Sequence, residues 1–432
     1  MGLFGDKKRK QQQEEQAAAE LEERKKKEHD EAVEESRKAH QNLPWPKLIP
    51  INTLRNKDTG LAVLPEEDDP LTAERKEEVG SLVFEPEITA ENVQNLTDTE
   101  LMFLIDTHEI YNHQSALPNY ESNHRVMYNE LLARVHKTKQ FFVLYDSKTR
   151  YPYVDGGFAF IYFDAEHAKK AAELYAKQFR RLVPQARPGE NADPNEQGIR
   201  PLALFDYFYY VGVERVIIDN GYYRVGIRRE EISAPPTFAA DPRQIPPASP
   251  ALSYAMTDFL QEIRWGVKYE KREEVLKRKQ ERMNVLIPTS KYVVPMLLKD
   301  DDNAPVQVGP DGQEHKARRM EFPMIMLKAR KNDGTEEDQR FLPVFTDLFE
   351  FSKNFPKQEY KPAVFEYSKM LGLVKPLGGF IINPRGQNVI VPEKRGEELL
   401  LRLQQKAQNP GQQATAVTQF PGTDPAKNPP KA

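Results

Sequence analysis

The chain contains no cysteine, which excludes disulfides, thiol nucleophiles and Cys-ligated zinc. No apolar run approaches the roughly 18 residues of a membrane span. The first residues lack the apolar core of a secretion signal. MGLFGD opens with Met-Gly, but Asp6 stands where a myristoylation signal places Ser or Thr. Charge of one sign is not in excess: 30% of the 432 residues are charged, yet the net charge is −4. No broad basic field for nucleic acid or an anionic membrane is therefore expected. G-x-G-x-x-G, P-loop, G-x-S-x-G and H-E-x-x-H signatures are absent, so no cofactor or metal is predicted. Apolar content is also low, at 39% with a mean hydropathy of −0.71. A chain with room for two or three domains should then be partly solvated. The cytosol is the default compartment.

Residues 1–41 are rich in Glu, Lys, Arg and Gln, with Pro absent and Gly absent after Gly5. Leu21, Ala32 and Val33 do not repeat at coiled-coil spacing, so a charged helical arm is predicted, stitched by nearby opposite charges. Residues 42–94 are acidic and punctuated by proline, and read as a linker or an extended strap packing Trp45, Leu48 and Ile49. ISAPPTFAADPRQIPPASP marks a second Pro-rich linker over 232–250. Residues 403–432 lack any apolar period and read as a disordered tail.

Between these segments a pattern recurs. LALFDYFYYVGVERVIIDNG, from Leu202, parallels PAVFEYSKMLGLVKPLGGFIINPRG, from Pro362. FAFIYFD (158–164) parallels FLPVFTD (341–347), aligning Asp164 with Asp347, and FFVLY (141–145) parallels YVVPML (292–297). Three blocks in one order indicate two tandem domains, 95–231 and 251–402. Each reads as helix, strand, strand, helix, helix, strand, strand, an α+β arrangement with a small, mainly antiparallel sheet. Helix AEHAKKAAELYAKQF places Ala168, Ala171, Ala172, Tyr175 and Phe179 on one core face. Asn220-Gly221 and Asn383-Pro384-Arg385-Gly386 mark hairpin turns. The second copy carries an insertion with two Asp-Gly turns, read as extended strands. The first carries VPQARPGENADPNEQGIRP, read as a polar loop.

Asp164 and Asp347 stand at strand-to-helix corners. Capping explains both, since an Asp carboxylate accepts the free N–H groups of a helix start. The histidines hold no ligand spacing; His108 and His113, five apart, do not share a helix face. The first copy's second helix is aromatic on more than one face: Phe205, Tyr207, Phe208, Tyr209 and Tyr210. The second copy has Ser368 and Lys369 opposite Phe208 and Tyr209. Residues 207–210 are thus candidates for packing against the other copy, the strap or a protein partner.

YVVP (292–295), LPVFTD (342–347) and FIINP (380–384), with an opening helix carrying Leu252, Ala255, Phe259 and Leu260, resemble the SseB N-terminal domain family over roughly 250–400. The first copy is similar but degenerate: Phe160 replaces Pro343, Phe163 replaces Thr346, and Asn220-Gly221 replaces the Asn-Pro. The resemblance implies a bacterial protein of a family with no established molecular function and no agreed catalytic residues. Two readings follow. One is a non-catalytic cytosolic binding or adaptor protein. The other is a small-molecule sensor or enzyme with a pocket at the strand ends of the second domain, lined by Thr346, Asp347, Asn383 and Arg385. No catalytic residue is nominated, and the oligomeric state is left open.

Overall fold

The computed structural model describes residues 3–48, 51, 69–196, 198, 201–219, 221–235, 247–300, 307–308, 314–315, 318–330, 336–356, 359–375 and 377–408. The fold class is α+β, with mostly antiparallel sheets. No helix among these residues is long and apolar enough to cross a membrane. The chain divides into two compact units: Met1–Pro50, Pro65–Thr138 and Asp219–Val225 in the first, Ile51–Leu64, Lys139–Ile218 and Gly226–Ala432 in the second.

The first unit is helical. Helix α1 (Leu3–His40) leaves Gln16 to Glu31 exposed to water, as its charge pattern requires. Its second half is held: His29 Nε2 bonds Glu85 Oε2 at 2.7 Å, and the ring of His40 stacks on Tyr111 with centroids 5.5 Å apart. Trp45 stacks on the same tyrosine at 5.4 Å and donates to Glu77 Oε2 at 3.0 Å. Leu48 is buried; Ile49 lies outside the described residues. The segment read as a linker also holds helices α2 (Ala73–Gly80) and α3 (Ala90–Val93). Thr72 accepts from Arg75 N at the start of α2, and Val79 and Val93 are buried. Their few apolar positions sit within acidic sequence, which hid them. Helices α4 (Asp98–Gln114) and α5 (Tyr120–Lys137) complete the unit.

The second unit holds two main sheets and a separate two-stranded ribbon. The first contains β1 (Gln140–Asp146), β2 (Val154–Asp155) and β3 (Phe158–Tyr162), then α6 (Ala165–Lys177), β4 (Leu182–Pro188), α7 (Leu204–Val211), β5 (Arg215–Ile218) and β6 (Val225–Arg228). Its strand order is β4-β1-β3-β5-β6, with β2 beside β3. β1 runs antiparallel to both neighbours and β3 runs parallel to β5.

Helices α8 (Pro250–Ile263) and α9 (Arg272–Thr289) lead into the second sheet. It contains β7 (Lys291–Asp300), β10 (Arg318–Glu321), β11 (Ile325–Arg330) and β12 (Glu336–Val344), while the short β8 (Gln307–Val308) and β9 (Glu314–His315) between β7 and β10 form a two-stranded ribbon of their own. After these come α10 (Leu348–Asn354), β13 (Lys361–Glu366), α11 (Tyr367–Val374), β14 (Gly379–Ile382), β15 (Val389–Pro392) and α12 (Glu393–Gln408). β7 meets β12 at one bridge, where Val293 and Phe345 exchange backbone bonds of 2.8 and 2.9 Å. The order through that bridge is β13-β7-β12-β14-β15, with β7–β13 antiparallel and β12–β14 parallel. The core beneath holds Leu252, Met256, Tyr292, Val344, Met370 and Phe380.

Three sequence expectations are corrected. β4 and β13 are strands, where LVPQARP was read as loop and Phe365-Glu366 as the start of a helix. Both lie at a sheet edge, where Pro and exposed polar residues are tolerated and apolar alternation is not required. α6 ends at Lys177, so Phe179 leaves the core face and is 76% exposed. Gly212 closes α7 at φ 73°, whereas its counterpart Gly372 sits inside α11. The inserted segment does extend the sheet through β7–β10 and β11–β12; both Asp-Gly turns lie outside the described residues, as do residues 236–246 of the linker and 409–432 of the tail.

Candidate functional site

The corner between β12 and α10 is built from the end of a buried strand and the first turn of a helix. Asp347 caps α10: its Oδ1 accepts from Phe349 N at 2.8 Å and Glu350 N at 3.0 Å. Asp164 caps α6 in the same way, accepting from Glu166 N and His167 N. Their surroundings differ: Asp164 is exposed and Asp347 is buried.

Burial of Asp347 follows from a polar seam (Thr346, Asn383, Gln387) that runs behind it. Thr346 Oγ1 donates to Asp347 Oδ2 at 2.8 Å. Asn383 Nδ2 donates to Thr346 Oγ1 at 2.9 Å and to Gln387 Oε1 at 2.8 Å, while its Oδ1 accepts from Thr346 N at 3.0 Å. Gln387 Nε2 reaches Ser253 Oγ at 3.1 Å and Thr257 Oγ1 at 3.3 Å on α8. Every one of these side chains is at most 3% exposed. The seam ties β12, the β14–β15 turn and α8 together, and its donors and acceptors are matched, as buried polar groups require. Asn383 has φ 49°, a left-handed conformation that Asn tolerates better than most residues. Its counterpart Asp219 has φ 50°.

Burial pushes the Asp347 carboxyl up to about 6; the nearby Glu350 charge adds to this, while the cap bonds and Thr346 oppose it. Glu350 itself is buried and accepts from Tyr151 Oη at 2.6 Å and Lys353 Nζ at 2.5 Å. Burial beside Glu350 raises the Tyr151 phenol far above its ordinary range, so it stays a donor. Gly386 lies against this pair, and a side chain there would strike the Tyr151 hydroxyl and the Glu350 carboxylate. Arg385 is set apart from the seam and donates to Lys353 O at 2.9 Å. Thr346, Asp347 and Asn383 are therefore brought together, and Arg385 is not.

The aromatic helix α7 is divided. Phe208 is fully buried. Tyr210 packs edge-on against Phe349 of α10 at 4.5 Å, Tyr207 lies under the Arg187 guanidinium at 4.5 Å, and Tyr209 faces Arg229 at 5.3 Å. Gly212 abuts Pro250 so closely that a β-carbon would overlap its carbonyl.

A contact between α8 and the first sheet was missed in the sequence. Gln261 Oε1 accepts from Val154 N at 3.0 Å, and its Nε2 donates to Pro152 O at 2.9 Å. Beside it Arg180 and Glu262, both buried, lie 3.7 Å apart, and Lys279 Nζ reaches Glu262 Oε2 at 3.2 Å. Gln261 and Gln387 carried no motif, and Gln387 falls just outside the Asn383-Pro384-Arg385-Gly386 turn. In the first unit His108 is buried and stacked on Tyr120 at 4.7 Å, and burial lowers it to about 3. Among the described residues no group of three or more His, Asp or Glu is arranged to hold a metal ion.

An α+β domain with a parallel β12–β14 pair and a capped strand–helix corner is the class of fold that carries this seam. Residues 271–393 of the chain match the family model of the SseB protein N-terminal domain. The match begins after α8, so the opening helix with Leu252, Ala255, Phe259 and Leu260 is not part of it. No curated protein and no solved structure matches the chain.

Proposed function

We propose that this chain is a non-catalytic cytosolic binding or adaptor protein built from two tandem copies of one α+β domain, the second being the SseB-like one. The common strand order of the two sheets and the left-handed residues at Asp219 and Asn383 support the duplication. The observation that carries the functional reading is the closure of the corner. Thr346, Asp347 and Asn383 spend their hydrogen-bonding groups on one another, on Gln387 and on the helix start. Such a seam fixes backbone geometry rather than presenting polar groups to a ligand. Tyr207, Tyr209 and Tyr210 remain half-buried, and amphipathic aromatics of this kind serve well at an interface.

Native mass spectrometry of the tagged protein, gently purified from its own host, tests the proposal. A co-purifying protein lost in Tyr209→Lys supports it. A stoichiometric small-molecule adduct lost in Asp347→Asn, with the fold intact, would overturn it in favour of a sensor or enzyme.

A further inference from the structure

Where α6 gives way to β4, the end of that helix, the turn after β1 and the residues following α8 enclose a half-open cavity of about 390 Å³. This is within the size range of small-ligand sites, roughly 300–1,000 Å³. Three features of its lining point to a ligand.

The first is Phe179. The α6 terminus closes as a Schellman turn, with Arg180 N bonded to Tyr175 O at 3.1 Å and Phe179 N to Ala176 O at 2.8 Å. The residue in the left-handed position of that turn is usually glycine. Here it is Phe179, at φ 62° with its ring 76% exposed. The left-handed backbone costs stability and the solvated ring returns none through burial, and strained residues of this kind cluster at ligand contacts.

The second feature is charge. Lys148 Nζ donates to Arg264 O, and Arg264 Nη1 donates to Lys148 O at 3.2 Å. These reciprocal bonds hold two cations side by side. Arg181 is exposed on the same rim, and none of the three makes an ion pair among the described residues. The one carboxylate of the lining, Asp146, is buried and its Oδ1 accepts from Lys148 N and Thr149 N.

The third feature is the wall. Trp265 is 5% exposed, with its indole N–H fixed on Gln178 O at 3.2 Å. Arg180, 3.5 Å from the Trp265 ring centroid, is already engaged by that ring and by Glu262. It holds the wall rigid and leaves Lys148, Arg181 and Arg264 as the cations available to a ligand.

We infer that this cleft binds a small organic anion with a flat apolar body, its charge toward Arg181, Lys148 and Arg264 and its body against Phe179 and the Trp265 wall. The inference does not depend on the adaptor reading, which concerns α7 and the corner.

Trp265 is one of two tryptophans in the chain, so Trp45→Phe in the full chain leaves a reporter inside the cleft. The probe is 1-naphthoate, with 1-naphthalenemethanol as its neutral isostere and acetate as the charge-only control; calorimetry on the unmodified chain checks the stoichiometry. Naphthoate should change Trp265 emission saturably at one site, and the two controls should not. Arg181→Gln should weaken binding about tenfold. Phe179→Gly should weaken it by a similar factor while the unfolding midpoint stays level or rises, a combination that a merely structural phenylalanine would not give. Binding weaker than roughly 1 mM, equal binding of the alcohol, or no effect of both substitutions would overturn the inference. So would capture of an acidic peptide with no response to naphthoate, which would make the cleft a protein-docking surface.

Discussion

Replacing Asn383 separates a structural seam from a ligand site. Its side chain makes three buried hydrogen bonds, to Thr346 N, Thr346 Oγ1 and Gln387 Oε1. Asn383→Ala leaves the Thr346 N–H and the Gln387 amide oxygen unmatched in a region closed to water. Each such loss costs about 1–3 kcal/mol. Alanine at φ 49° adds a left-handed penalty of about 1–2 kcal/mol. The sum is roughly 3–8 kcal/mol, a large part of the stability of an ordinary domain. Asn383→Gly loses the same hydrogen bonds without the steric penalty, so it should be more stable than the alanine variant by about 1 kcal/mol. Urea unfolding followed by circular dichroism gives both numbers. If Asn383→Ala lowered stability by less than about 1 kcal/mol, or glycine and alanine behaved alike, the seam would not be what holds the corner.

Four further outcomes follow from the same geometry. Asp347 ionises near 6 in the folded chain against an ordinary 3.8, so the folded state holds the extra proton between those values. Stability should fall as pH rises from about 4 to about 6, by at most about 3 kcal/mol, and stay low above that; a pH series of urea midpoints should lose this slope in Asp347→Asn. Phe179→Gly should raise stability by about 1 kcal/mol, read as a higher melting temperature, because it relieves φ 62° without removing a buried side chain. Glu262→Ala should cost about 3 kcal/mol or more, since it leaves the buried Arg180 without its carboxylate; a loss under about 1 kcal/mol would show that water reaches the pair. A double-mutant cycle on Tyr210 and Phe349, 4.5 Å apart, should return a coupling of about 0.5–1.5 kcal/mol; zero coupling in chemical unfolding would place α7 away from α10 in solution.

The sequence by itself determined the elements whose physics is local. Apolar runs at 141–145, 158–162 and 341–344 became strands, and Asp164 and Asp347 after the last two became helix caps, because a cap depends on neighbours two and three residues away. The α+β class and the FIINP turn were legible for the same reason. Edge strands β4 and β13 were not, since a strand with one free side needs no apolar alternation. Phe179 fell at the right spacing for a core face, but the helix ended two residues before it, and periodicity does not locate an end. Only the tertiary structure decided what the polar residues do. Asn383 and Thr346 lie 37 residues apart, and Gln387 and Ser253 lie 134 apart. Such pairings carry no local signal, and a buried hydrogen bond has value only once the chain has folded around it. The same holds for the cleft beside Trp265, whose Lys148 and Arg264 are separated by 116 residues: the sequence supplied the cations and the ring, and folding placed them around one cavity.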